Sequence, residues 1–199
     1  MSLTLLSALF GFAFVTTITP GPNNLMLMAS GTNFGFRRTI PHMLGIMGGV
    51  SLMVLLVGGG LMALFDAIPA LNTVLKIASI FYLLWLAFKI ATAAPSPDRP
   101  AAGRPMSLVQ AAAFQWVNPK AWAMALSAIT LYAPDRSLLS VAIVAGAFAL
   151  VCFPAISVWA WLGTVVRQWL SSATRLRVFN ITMAVLLIAS LYPVLGIGA

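Results

Sequence analysis

No glutamate occurs anywhere in this chain, and aspartate occurs only at Asp66, Asp98 and Asp135. Histidine and cysteine occur once each, as His42 and Cys152. These shortages exclude whole classes of chemistry. One Cys forms no internal disulfide and no Cys-x-x-Cys redox pair. Metal centres need clusters of His, Cys or carboxylate, which this inventory does not supply. There is no His-Glu-x-x-His and no Gly-x-Ser-x-Gly, so the expectation is a protein that is not an enzyme and needs no cofactor. The broadest shortage is of charge: 7% of the 199 residues are charged, while 61% are apolar. A soluble domain carries about 25% charged residues. The few charges here cannot cover a water-facing surface, and disorder requires the opposite composition. What remains is an all-α polytopic membrane protein with a mean hydropathy of +1.02.

What is present is a series of long apolar stretches. A bilayer core about 30 Å thick takes roughly 20 apolar residues per helix, and six such stretches can be traced. They run over Leu3 to about Ala29, Pro41 to Phe65, Leu71 to Ala93, Ser107 to Leu131, Leu138 to Val166, and Val178 to Leu195. The first lacks a preceding Lys or Arg and a small-x-small cleavage end, so it reads as a membrane helix rather than a signal peptide. The runs are too long, and too little alternating, for an outer-membrane barrel. The expected organisation is one transmembrane domain over 1–199. A first repeat covers about 1–94, a Pro-rich cytoplasmic linker 95–105, and a second repeat about 106–199.

The net charge of +8 serves orientation. Arg37, Arg38, Lys89, Arg99, Arg104, Arg167, Arg175 and Arg177 are expected in loops on one side. The opposite loops hold Arg136 with Asp66 and Asp135, and Lys76 opens the third helix. Lys/Arg-rich loops stay in the cytoplasm, which places both termini on the outer, periplasmic side. The basic residues are thus a topology signal and give no reason to expect nucleic acid.

Two helices carry breaks at matching positions. The first contains Thr19-Pro20-Gly21-Pro22-Asn23-Asn24 and the fourth Trp116-Val117-Asn118-Pro119-Lys120, with Pro22 and Pro119 97 positions apart. Three helices per half make the halves enter from opposite sides, as two inverted repeats. Proline removes an amide donor and clashes with the preceding turn, and lipid offers no partner to the groups so freed. Interrupted segments at corresponding places in two halves point to a transporter's midplane site.

On these residues the chain resembles the LysE/RhtB family of bacterial amino-acid exporters. The resemblance spans nearly the whole sequence. It rests on Pro20-Gly21-Pro22-Asn23, the turn Gly35-Phe36-Arg37-Arg38, the Gly-spaced helix through Gly45, Gly48 and Gly49, and Asn118-Pro119-Lys120. With Leu86-Ala87-Phe88-Lys89-Ile90-Ala91-Thr92, it looks most like the cysteine/O-acetylserine exporter branch. The resemblance implies a multi-pass protein of the bacterial inner membrane that moves amino acids or their derivatives out of the cytoplasm, with coupling to protons. A homo-oligomer is compatible with it.

Candidate site residues follow from the breaks. An isolated Lys120 inside a helix costs about 2.5–3.5 kcal/mol on insertion scales, and no acidic residue lies inside any expected span. Lys120 either attracts a substrate carboxylate or releases a proton during turnover, or else its ammonium caps orphan carbonyls at a half-helix end. The amide ends at Gly21 to Asn24 suit a carboxylate, as helix N-termini suit anions. Oxygens of Asn23, Asn118, Thr16 or Thr19 suit an ammonium, and Gln115 joins the polar lining. Trp116 reads as packing. His42 either titrates in a proton-coupled cycle or is an amphipathic interface residue. Gly45, Gly48 and Gly49 read as helix-packing positions. With no membrane carboxylate to pair a cationic side chain, neutral substrates of the cysteine/O-acetylserine or homoserine/threonine type are favoured. The alternative is export of basic amino acids, or of a metal ion, on the same scaffold.

Overall fold

The computed structural model describes residues 1–93, 103–170 and 172–192. Most of the expected linker, with Asp98 and Arg99, and the end of the sixth stretch lie outside them. Among the described residues every regular element is helical: α1 Leu3–Ile18, α2 Pro22–Phe34, α3 Phe36–Leu56, α4 Met62–Ala67, α5 Ala70–Ala91, α6 Leu108–Phe114, α7 Pro119–Tyr132, α8 Leu138–Trp169 and α9 Ala173–Ala189. A π-helical turn, Val57–Leu61, joins α3 to α4, and a 3-10 turn, Gln115–Val117, extends α6.

Among the described residues three helices are long and apolar enough to cross a membrane: Phe36–Ala67, Ala70–Ala91 and Leu138–Trp169. A fourth span is available if α1 and α2, bent by 57°, count as one. The six expected stretches are therefore not six uninterrupted long helices. The first divides into α1 and α2 and the fourth into α6 and α7, while the last is the 17-residue α9.

Helix ends follow local chemistry. Ser107 and Gln110 form a reciprocal capping box at the start of α6, the pairing that satisfies two orphan donors at once. The second stretch begins five residues before the expected Pro41. Gly35, at φ +83°, supplies the left-handed turn that glycine adopts without penalty, and Pro41 is carried inside α3. Likewise α9 starts at Ala173, where the Ser172 hydroxyl accepts from the Arg175 amide. Arg37, Arg38, Arg175 and Arg177 thus lie in opening turns of helices and Lys89 in a closing turn, rather than in loops.

The long helices α3 and α8 pack on each other at the centre, with α2 and α1 against α8 and α6 against α3; α5 and α9 form an outer pair. Two buried apolar clusters result, one around α1, α3, α7 and α8 and one joining α2, α5 and α9. Close approach depends on glycine. A methyl added at Gly45 would meet the Leu108 carbonyl, and one at Gly49 would meet Gln115 and Ala112. Gly48 does not share this role: it is exposed, with nothing within 4 Å of an added Cβ. The outer faces are apolar, with Phe81, Phe88, Leu150 and Trp161 all more than half exposed. A soluble monomer rarely presents so much apolar surface.

Candidate translocation site

A helix end leaves its last carbonyls without intrahelical donors, and in an apolar setting each needs a partner. The end of α1 meets this demand carbonyl by carbonyl. Val15 O accepts from the Thr19 amide at 3.2 Å and Thr16 O from the Thr19 hydroxyl at 3.0 Å. Asn24 Nδ2 donates to Thr17 O at 2.8 Å and to Thr19 O at 2.7 Å. Trp159 Nε1, from α8, donates to Ile18 O at 2.8 Å. Lys120 Nζ completes the set, donating to Thr19 O at 2.6 Å, Thr19 Oγ1 at 2.9 Å and Pro20 O at 3.4 Å. Its three donors serve one break from the helix that follows the other. Gly21 makes room for this, because a Cβ there would lie 2.7 Å from Lys120 Cδ.

The prolines start helices rather than kink them. Gly21 and Asn118 are the N-cap residues of α2 and α7, and Pro22 and Pro119 follow them as the first helical residues. The amide that proline lacks is an orphan at that position in any case. Asn118 Oδ1 accepts from the Lys120 amide at 3.2 Å, and its Nδ2 donates to Gln115 Oε1 at 3.3 Å. Gln115 and Asn23 form a reciprocal amide pair, with Nδ2 to Oε1 at 2.9 Å and Nε2 to Oδ1 at 3.2 Å. Gln115 also donates to Ala111 O at 2.8 Å and is fully buried.

The breaks are therefore joined, and the backbone groups freed at the end of α1 are satisfied by protein side chains. The space between them is about 20 Å³, lined by Thr16, Asn23, Asn24, Asn118, Lys120 and Cys152 among others. That holds about one water molecule. Of the oxygens expected to meet an ammonium, Thr19 O is taken by Lys120 and Asn24, and Thr16 Oγ1 donates to Phe12 O. Lys120 occupies the capping role in this closed arrangement. Trp116 packs edge-on against Trp122, whose Nε1 donates to Trp116 O. His42 is away from the break: it is 1% exposed within α3 and faces a different, larger cavity.

Several participants escaped sequence reasoning. Thr17 is buried beside the small cavity with an unpartnered hydroxyl, and Trp159 caps α1 from 141 positions away. Asn33 and Asn180, paired at 3.1 Å, carried a usable signal, since asparagine inside an apolar stretch demands a partner. Trp159 carried none, because tryptophan in such a chain is commonplace.

Asn118→Ala removes both the cap of α7 and the bond to Gln115. It should lower stability by about 0.5–2 kcal/mol, the usual worth of an N-cap, read as a lower unfolding temperature in detergent. Asn118→Ser, which keeps an acceptor, should recover most of the loss; equal loss in both would exclude the cap as the cause.

Comparison with known proteins identifies the family. The LysE type translocator family matches residues 14–190. Cysteine/O-acetylserine efflux proteins are similar along nearly the whole length. That of Escherichia coli O139:H28 (strain E24377A / ETEC) is 32% identical over 196 residues, covering 94% of this chain and 96% of the relative. Those of Escherichia coli (strain K12) and Shigella sonnei (strain Ss046) are 31% identical with the same coverage. No solved structure matches. Apolar helices and a match over nearly the whole chain to efflux proteins point to a membrane transporter rather than an enzyme, and the chain belongs to the LysE type translocator family.

Proposed function

We infer that this protein exports small neutral amino acids or their derivatives, of the cysteine/O-acetylserine or homoserine/threonine type, by alternating access around the two breaks. One observation carries the reading. Lys120 bonds Thr19 and Pro20, and Gln115 bonds Asn23, across a space of about 20 Å³. A polar, closed constriction assembled from both halves is what an occluded carrier needs. Opening it exchanges those bonds for bonds to the substrate: its carboxylate meets the Lys120 ammonium and the α2 N-terminus, and its ammonium meets Thr19, Asn23 or Asn118 oxygens.

The two halves act as inverted three-helix repeats of a single transmembrane domain, about 1–94 and 106–199, giving six spans when each interrupted pair counts as one. Packing supports this: α1 lies on α8 as α6 lies on α3, while α3 pairs with α8 and α5 with α9. Both termini are periplasmic in this reading, since Lys89, Arg104, Arg167, Arg175 and Arg177 belong to the cytoplasmic side. Lys120 at the break and His42 at the larger cavity are the candidates for proton coupling. Among the described residues no carboxylate lines the break to pair a cationic side chain, which favours neutral substrates.

Proteoliposomes carrying the purified protein and preloaded with L-serine should accumulate labelled L-serine, L-threonine or O-acetyl-L-serine by counterflow. Exchange of arginine alone would replace this reading with that of a basic amino-acid exporter. No exchange of any amino acid would remove it.

A further inference from the structure

Beyond the break, an open cavity of about 460 Å³ lies between α2, α3, α5 and the stretch leading into α6. Binding sites for small organic molecules usually measure about 300–1,000 Å³, so this space admits an amino acid where the break does not. Its lining mixes apolar and charged residues. Met26, Phe34, Tyr82, Leu86 and Ile90 supply apolar surface, while Lys89 and Arg104 bring two cations.

Between these lie polar atoms that the fold leaves unused. His42 has neither ring nitrogen hydrogen-bonded, and Asn33 Oδ1 has no donor, although both residues are at least nine-tenths buried and line the cavity. Asn33 Nδ2, in contrast, is engaged with Ala29 O and Asn180 Oδ1, which fixes the amide so that its oxygen is the spare atom. A buried polar group without a partner costs about 1–3 kcal/mol, and such orphans in a native fold call for an explanation. Together an imidazole and an amide oxygen offer one donor and two acceptors, which are complementary to a carboxylate beside an ammonium.

The cavity is also in line with the break. Asn23, Met26, Ser30 and Asn33 follow each other at three- and four-residue steps and so share one face of α2. This face runs from the Asn23–Gln115 pair along the cavity to Asn33, over about 15 Å at 1.5 Å per residue. Met26 and Phe114 are buried in the intervening cluster, with Tyr82 stacked on Phe114 at 5.5 Å.

We propose that this cavity is a loading site for the zwitterionic backbone of a neutral amino acid. Lys89 and Arg104 draw in the carboxylate from the rim, Asn33 Oδ1 and one His42 nitrogen accept from the ammonium, and the apolar surface holds a small uncharged side chain. The substrate then passes along the α2 face, past Met26 and Phe114, to the break. The place in transport rests on the exporter reading; the binding site does not, and the test separates them.

The test is thiol protection in the full-length protein. Ala29→Cys, on the cavity wall, is introduced into a Cys152→Ala background, with Ile90→Cys as a second position should the first not fold. Alkylation by N-ethylmaleimide is timed with and without L-serine, L-threonine or ethanolamine, and counterflow is measured on the same preparations. L-Serine and L-threonine should slow alkylation at least several-fold, ethanolamine should not, and Asn33→Leu or a combined Lys89→Gln and Arg104→Gln change should abolish the protection. Protection without counterflow supports the site and sinks the exporter reading. Counterflow without protection at either position overturns the site, as does equal protection by ethanolamine.

Discussion

Alanine at Gly31 or at Gly163 will destabilise this protein by about 1–3 kcal/mol, the range for forcing extra atoms into a packed interior. The two glycines face each other's helices where α2 crosses α8. A Cβ on Gly31 would run into the Ala160 carbonyl, and one on Gly163 into the Met28 carbonyl and the Thr32 amide. These obstacles are backbone atoms, so no side-chain rotation relieves them. The same crossing carries a hydrogen bond from Thr32 Oγ1 to Gly163 O at 2.9 Å, which separation of the helices would stretch or break. α2 also carries Asn23 and Asn24, so the displacement reaches the candidate site and transport should fall with stability. Gly146 is the control, on the same helix α8 but exposed and with no atom near an added Cβ. Gly146→Ala should be neutral, or stabilising by up to about 1 kcal/mol through reduced backbone entropy in the unfolded chain. Unfolding temperatures in detergent decide the matter: a Gly31→Ala protein melting like the Gly146→Ala protein would exclude tight backbone contact at the crossing.

Lys120→Met will slow counterflow by about 10- to 100-fold. Hydrogen bonds to charged groups are worth about 1.5–3 kcal/mol, and 1.4 kcal/mol corresponds to a factor of ten. Lys120 makes three contacts at once to Thr19 and Pro20. Without them Thr19 O retains only Asn24, and the closed state loses the main link from α7 to the end of α1. Lys120→Arg separates charge from geometry. Arginine keeps the positive charge, but its longer planar head cannot repeat a three-way cap from a stem that already runs against Gly21. If the ammonium acts by geometry, the arginine protein will be impaired nearly as much as the methionine protein. If positive charge alone suffices, arginine will restore most of the rate. Normal rates in both would leave Lys120 with no part in transport.

Much of the architecture was open to reading from residue order alone. The membrane class follows from composition, because so few charges cannot solvate a surface. The helix start at Ser107 follows from a capping box four residues long. The breaks follow from Pro-Gly-Pro-Asn-Asn and Asn-Pro-Lys, since proline and asparagine act on their own neighbours. Other boundaries were misplaced for an equally local reason. Pro41 looked like a beginning and proved to be interior, because Gly35 at φ +83° had already turned the chain.

What packing alone decided is which groups meet. Gly45 and Gly49 contact α6 and its 3-10 extension while Gly48, one residue away, faces outward. His42, sited by sequence near an interface, is buried and lines the larger cavity together with Asn33. Trp159 and Lys120 find the end of α1 across 141 and 101 positions. Residue order could assign class, helix content and breaks because these depend on solvation and on backbone chemistry within a turn. It could not assign faces or partners, because helices that are apolar all round carry no amphipathic mark of which side turns inward. The carbonyls of a broken helix accept from whichever donor the tertiary fold brings within reach.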